Sequence, residues 1–335
     1  AAAALQLSEA QDGDGGHTAV LALNLATTRL SAGHGADALA PAQQALTIAQ
    51  ANPDAGVDPL MVQLAVGRAE LASGRASGAA HLEAFLNEAK THGDLSPAVF
   101  QASADLGAWD FSHYAYPQAK AAWQIAVDSA GNADEAANLA RAAAETGLAA
   151  AIVMTNKSGG VDMREVASAQ IALTDAFAVY APYVRSPIPP AGLTVVQRSY
   201  SQAYAWSLVL VSQVVSAGRR MPAWPSARAG LTASGDTASA SNGQLGCAMR
   251  FIAEPRPTYP NHQNNAVRLG GVVVYLETDE SGRIVRREVA AAIGADFADA
   301  VRAVLPQWRM EKDPSSPANC SMAGPHYRGV IFQFG

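Results

Sequence analysis

The chain has 335 residues, 49% of them apolar and 16% charged, with a formal net charge of -6 at pH 7. That length and apolar fraction suffice for two domains with proper cores, and the acidic balance argues against a nucleic-acid partner, whose phosphates require concentrated Lys and Arg. Residues 1–230 carry 13 Lys and Arg against 19 Asp and Glu, and residues 231–335 carry 10 against 10, so the acidity belongs to the front of the chain.

No stretch reaches the roughly 18 consecutive apolar residues that a membrane-spanning helix needs, so no membrane span is expected. The nearest approach, AWSLVLVSQVV (residues 205–215), is short and interrupted by Ser and Gln. The opening AAAALQL suits either a trimmed chain or a mature one from which a signal peptide or a membrane anchor has been removed. The two cysteines, Cys247 and Cys320, are either buried free thiols or a disulfide. A disulfide, of the kind that persists in an oxidising compartment, is expected. Without His at ligand spacing the pair makes a poor metal site.

Alanine dominates the first two-thirds, and its high helix propensity favours closely packed helices. LALNLATTRLSAGHGADALAPAQQALTIAQANPD reads as two amphipathic segments around a turn at Gly33 and Gly35. LMVQLAVGRAELASGRASGAAHLEAFLNEAKTHGD repeats the plan with a turn near Gly74. AVFQASADLGAWDFSHYAYPQAKAAWQIAVDSAGN repeats it again, turning near residues 112–115. Turns about 40 residues apart indicate stacked helical hairpins. Across roughly residues 17–155 this resembles the tetratricopeptide-repeat family. The carriers are Ala45 and Ala49, then Ala80, Ala84 and Phe85, then Ala122, Ile125 and Ala126. The resemblance implies a concave groove for a peptide or helix, with Trp109, Tyr114, Tyr116 and Trp123 either as anchors or as packing between helices. Helices over residues 135–155, 164–180 and 194–217 are expected to end the array, giving a helical domain over residues 1–220.

Residues 221–246 read as a linker, because Gly, Ser, Ala, Thr and Pro replace the periodic pattern. Trp224 is the exception and is expected to pack on a neighbouring domain. TNKSGG (residues 155–160) lacks the upstream glycine of a phosphate loop and reads as a connection between helices.

The remainder, residues 247–335, has a different period. EPRPTYP is a stiff, extended entry, and Pro260 suits the first turn of a short helix that Gly270 and Gly271 would close. GGVVVYLETDESGRIVRREVAA predicts a hairpin turning at residues 279–282. DFADAVRAVLPQW predicts an amphipathic helix with Asp296 as N-cap and Phe297, Val301, Val304, Leu305 and Trp308 on one stripe. DPSSPANCSMAGP looks irregular, and residues 326–334 predict a final alternating strand. The expected fold class is therefore an all-α hairpin array followed by a small α/β sandwich with a three-stranded antiparallel sheet.

From Pro257 to about Phe334 this tail resembles the C-terminal domain of the TonB family. The correspondence rests on Tyr259–Pro260, on Gly270 before the first strand, on the Gly282–Arg283–Ile284 step and on Trp308–Arg309. The resemblance implies a periplasmic module that meets a TonB-dependent outer-membrane receptor, or a related envelope protein, by pairing its last strand with an extended segment. The implied partner-binding residues are Tyr259, Pro260, Tyr327, Arg328, Gly329, Val330, Ile331 and Phe332. Val330, Phe332 and Phe334 fall on one face and read as core, while Tyr327, Gly329 and Ile331 fall on the other. The same edge could serve self-association in a structural envelope scaffold, which is the alternative function. No catalytic, metal or cofactor motif stands out, and the seven His are scattered, so a non-enzymatic interaction protein is expected.

Overall fold

A computed structural model describes residues 2–13, 15–92, 97–131, 134–184, 189, 191–225, 247–260 and 269–333. Packing divides the chain into two units, Ala1–Gly131 and Asn132–Gly335.

In the first unit, α1 (Ala2–Asp12) packs on α2 (Gly16–Ser31), and three helical hairpins follow in series. These are α2 with α3 (Leu39–Ala51), α4 (Pro59–Ala72) with α5 (Ser77–His92), and α6 (Pro97–Ser112) with α7 (Tyr116–Ser129). The first helix of every hairpin ends in the same way. Gly33, Gly74 and Tyr114 each take a left-handed conformation, with φ of 78°, 74° and 64°. The next amide then reaches back into the helix, as His34 to Arg29 at 2.8 Å, Arg75 to Glu70 at 2.9 Å and Ala115 to Asp110 at 2.8 Å. This satisfies carbonyls that the helix end would leave unpaired.

Small residues let the two helices of a hairpin approach. A Cβ on Gly67 would lie 2.8 Å from Leu82, and one on Gly107 would lie 2.9 Å from the ring of Trp123. The hairpin pattern and its turns agree with the periodicity in the sequence. The boundary between the units falls inside the expected helical domain, because α8 (Glu135–Gly159) packs with α9 (Met163–Val184) and α10 (Val195–Ser216) in the second unit. TNKSGG is also not a connection, since residues 155–159 form the end of α8.

The second unit joins those three helices to a sheet of β2 (Leu269–Thr278), β3 (Ile284–Ile293) and β5 (Gly324–Gln333), in the order β3-β2-β5 and antiparallel throughout. Residues 272–276 of the central strand are each 0% exposed, which is why β2 reads as an unbroken apolar run instead of an alternating one. Val272, Val274 and Leu276 meet α11 (Ala295–Val304) and Trp308 on one face. Tyr275 clusters with Leu193, Ala290 and Tyr327 on the other. That second face lies under α10. A Cβ on Gly271 would sit 2.7 Å from the Ala205 carbonyl oxygen, and one on Gly329 would sit 2.8 Å from Leu208. On the opposite face, a Cβ on Gly270 would meet the Phe297 ring at 2.2 Å.

A two-stranded ribbon of β1 (Met249–Ala253) and β4 (Arg309–Lys312) completes the unit; neither strand was predicted. Cys247 and Cys320 form a disulfide with Cα atoms 5.0 Å apart, 73 residues distant in sequence. A crosslink closing a loop of that length stabilises by about 4 kcal/mol in the chain-entropy account. Gly294, not Asp296, is the N-cap of α11, and Asp296 lies in its first turn, where a negative charge is favourable. The short helix expected after Pro260, most of the 221–246 linker and Phe334 lie outside the described residues. Trp224 is 41% exposed.

Tyr114 is a bulky residue where the two sister turns use glycine, and it is itself 79% exposed. A side chain in the left-handed region costs about 1 kcal/mol. Tyr114→Gly is therefore expected to raise unfolding stability in urea by up to about 1 kcal/mol, and Gly74→Tyr to lower it by a similar amount. Loss of stability in both variants would contradict this account.

Candidate interaction surfaces

Two concave surfaces follow from these elements. In the first unit α2, α4 and α6 are neighbours, so the first helices of the three hairpins share one face. They enclose a groove of about 380 Å³ lined by Leu30, Gly35, Leu71, Ala108 and Trp109, among others. Arg68 of α4 crosses it, donating to Asp105 and to Gln101 of α6, each at 2.6 Å. The groove is therefore small-residue in character, with an internal ion pair and little net charge.

Of the four candidate aromatic anchors, only Trp109 lines this groove, and its ring stacks on His113 at 3.9 Å. Trp123 is buried beneath Gly107 and serves as packing. Tyr116 is half-buried, in edge contact with Phe111 at 5.3 Å.

In the second unit the outer edge of β5 is where a partner strand could pair, because β2 occupies its inner edge along the whole strand. The outer edge is guarded. Residues 254–257 run beside it, and together with Trp308 and β5 they line a cleft of about 180 Å³. Arg328 holds that segment through Glu254, with contacts of 2.7 and 3.0 Å, and its guanidinium lies 5.3 Å from the centre of the Phe251 ring. Pro255 and Pro257 have no N–H to offer a ladder, and among the described residues no backbone hydrogen bond joins this segment to β5. Proline beside an edge strand blocks indiscriminate pairing. EPRPTYP is thus an edge guard, anchored by Tyr259 in edge contact with Phe297 at 5.5 Å and Phe332 at 6.3 Å.

The candidate partner-binding residues consequently divide. Tyr327 and Gly329 face α10 within the unit, with Tyr327 in edge contact with Tyr200 at 5.1 Å and Tyr275 at 5.4 Å. Burial pushes the Tyr327 hydroxyl pKa well above its usual value. Tyr259, Val330 and Phe332 pack in the core against α11, and Pro260 is half-buried beside Tyr259. Arg328 and Ile331 alone stay accessible at the edge. Sequence reasoning missed Leu208 and Tyr204, the α10 residues that cover Gly329. Paired glycines in a strand were the available signal, since they mark close approach.

Among the described residues, no cluster of His, Cys, Asp and Glu could hold a metal, and no helix is long and apolar enough to cross a membrane. No family model matches the chain, and no curated protein does. Two solved structures from Podosopora anserina, described as a kinesin light chain with nearly identical TPR-like repeats, are similar to it at 18% identity and a TM-score of 0.41. The match covers 59% of this chain and 88% and 93% of those chains. A likeness of that degree assigns no function.

His326, on β5, is half-buried. Thr278 Oγ1 donates to the Met322 carbonyl at 2.5 Å, so its oxygen accepts from His326 Nε2 at 2.9 Å. Burial pulls the His326 pKa below its ordinary value. An unfolded chain then binds the proton more readily, so the stability contributed by neutral His326 is whole above about pH 6.5 and is lost as pH falls below it. His326→Gln is expected to flatten the fall in unfolding free energy between pH 7 and pH 5. Parallel profiles for the two proteins would contradict it.

Proposed function

We propose that this chain is an extracytoplasmic, non-enzymatic protein-interaction protein with two recognition surfaces. The groove shared by α2, α4 and α6 carries the reading. Repeated hairpins that align their first helices make a pre-formed concave surface, and such a surface takes an extended or helical segment at low ordering cost. The tetratricopeptide-like identity of the array is part of this proposal, and the regular turns at Gly33, Gly74 and Tyr114 support it.

The second surface is the β5 edge. A TonB-like assignment is supported by the order of hairpin, helix and final strand, and by the core position of Tyr259 beside Phe297. On that assignment the partner is a TonB-dependent outer-membrane receptor or a related envelope protein, and binding requires residues 254–257 to yield the edge. Periplasmic localisation belongs to the same proposal. The Cys247–Cys320 disulfide supports it, because such bonds persist where the surroundings are oxidising.

Photo-crosslinking side chains placed at Ile331 and at Ala108 in the full chain test both surfaces. The expected result is capture of an outer-membrane receptor from Ile331 and of a separate protein from Ala108. Capture from Ala108 alone would remove the receptor-directed part of the proposal. Capture of a second copy alone from Ile331 would replace it with the scaffold function.

A further inference from the structure

A concavity of about 590 Å³ lies between the β2–β3 turn and the β1–β4 ribbon, on the sheet face that α11 partly covers. Its wall includes Ile252, Ser281, Arg283, Arg287, Arg309 and Met310. Arg287 stands opposite Leu276 in the β2–β3 register, which points it to the same face as Trp308. Arg309 begins β4, immediately after Trp308. Three guanidinium groups therefore line one cavity, and no Asp or Glu lines it.

Most of the neighbouring acidic side chains are committed elsewhere, and Asp279, in the turn, interacts electrostatically with Arg283. Glu311 pairs with Arg250, Glu288 with Arg286, and Glu254 with Arg328. Glu280 accepts from Ser321. Asp279 accepts from the Ser281 and Arg283 amides within its own turn. Among the described residues no carboxylate pairs with Arg287 or Arg309.

The two inner arginines also converge on one acceptor. Arg309 Nη1 donates to the Trp308 carbonyl at 2.9 Å and to that of Pro306 at 2.7 Å, while Arg287 Nη2 reaches the Trp308 carbonyl at 3.5 Å. Like charges are thus held together over a single neutral oxygen. Arg287 Nε is buried and has no hydrogen-bond partner, and a buried, unpartnered donor of a charged group is costly to folding. Burial and the charge of Arg309 together pull the Arg287 guanidinium below its usual pKa. The carbonyls of Pro306 and Trp308 are satisfied, but the like charges and the unpartnered Nε oppose that gain. The arrangement becomes favourable when an anion enters, because guanidinium forks bind oxyanions through paired, charge-assisted hydrogen bonds.

We propose that this cavity is a binding site for a small ligand bearing a multiply charged oxyanion, phosphate or carboxylate, with an apolar portion that meets Ile252 and Met310. Ile252 is 58% exposed at the rim, an apolar side chain left uncovered beside three cations. The site lies apart from the β5 cleft and does not depend on the proposed receptor or peptide partners.

Calorimetric titration of the full chain at low ionic strength tests it, with inorganic pyrophosphate, phenyl phosphate and succinate as separate probes. Saturable binding at one site per chain is expected for at least one probe. The preferred probe then separates phosphate from carboxylate ligands, and phenyl phosphate against pyrophosphate reports the apolar contact. Arg287→Met and Arg283→Gln should each weaken that binding at least tenfold, while Arg302→Met, on the exposed side of α11, leaves it unchanged. Arg287→Met should also leave the ligand-free melting temperature unchanged or raised, since it removes an unpartnered buried donor. Absence of saturable binding by all three probes would overturn the proposal. So would equal loss in Arg302→Met, or full affinity in both Arg287→Met and Arg283→Gln.

Discussion

The second unit depends on a close approach between α10 and the sheet. A central strand that is apolar on both sides must be covered on both, or the exposed face becomes an aggregation surface. Gly271 and Gly329 remove the Cβ atoms that would hold α10 away, and Gly270 does the same for Phe297 on the other face. Two adjacent residues thus admit a helix backbone on one side and an aromatic ring on the other. The disposition of Tyr275, Tyr327 and Tyr200 between helix and sheet follows from that contact.

Once both faces are covered, recognition moves to edges and rims. The β5 edge retains its pairing groups, but Pro255 and Pro257 stand beside it and the Glu254–Arg328 ion pair holds them there. A partly exposed ion pair of this kind contributes on the order of 1 kcal/mol, so the guard is one that a partner strand with several main-chain hydrogen bonds can displace. The arginine cavity differs in kind. It is a rim feature created where the ribbon meets the β2–β3 turn, and its charges conflict with folding in the absence of a ligand.

Much of the local structure is legible in the residues. The glycines at 33 and 74 and the polar SHYA turn mark the hairpins, and the VVVYL run with its DESG turn marks β2 and β3. Two things are not legible, for physical reasons. The division between units falls before α8, whereas the change in composition comes after α10. Composition reports where the chain stops making periodic structure, while unit membership is set by which faces bury one another. Nothing in a linear pattern states that Leu208 will rest on Gly329. The β1–β4 ribbon escaped for another reason. MRFIA alternates inward Met249 and Phe251 with outward Arg250 and Ile252, but five residues of alternation beside a proline-rich segment are too short to separate from an extended linker. The site residues divided along the same line. The sequence pattern placed Val330 and Phe332 in the core, but had no means of knowing that the opposite face, with Tyr327 and Gly329, was already occupied.

The joining of helices α8–α10 and the sheet into one folding unit is tested most directly by native-state hydrogen exchange on the full chain. The amides of β2 and of the buried stretch of α10 should exchange only through a shared opening, with the same free energy and the same denaturant dependence. If α10 exchanges with the hairpins of the first unit while β2 keeps a separate, higher protection, the sheet is an independent module and the glycine-mediated contact does not hold the unit together.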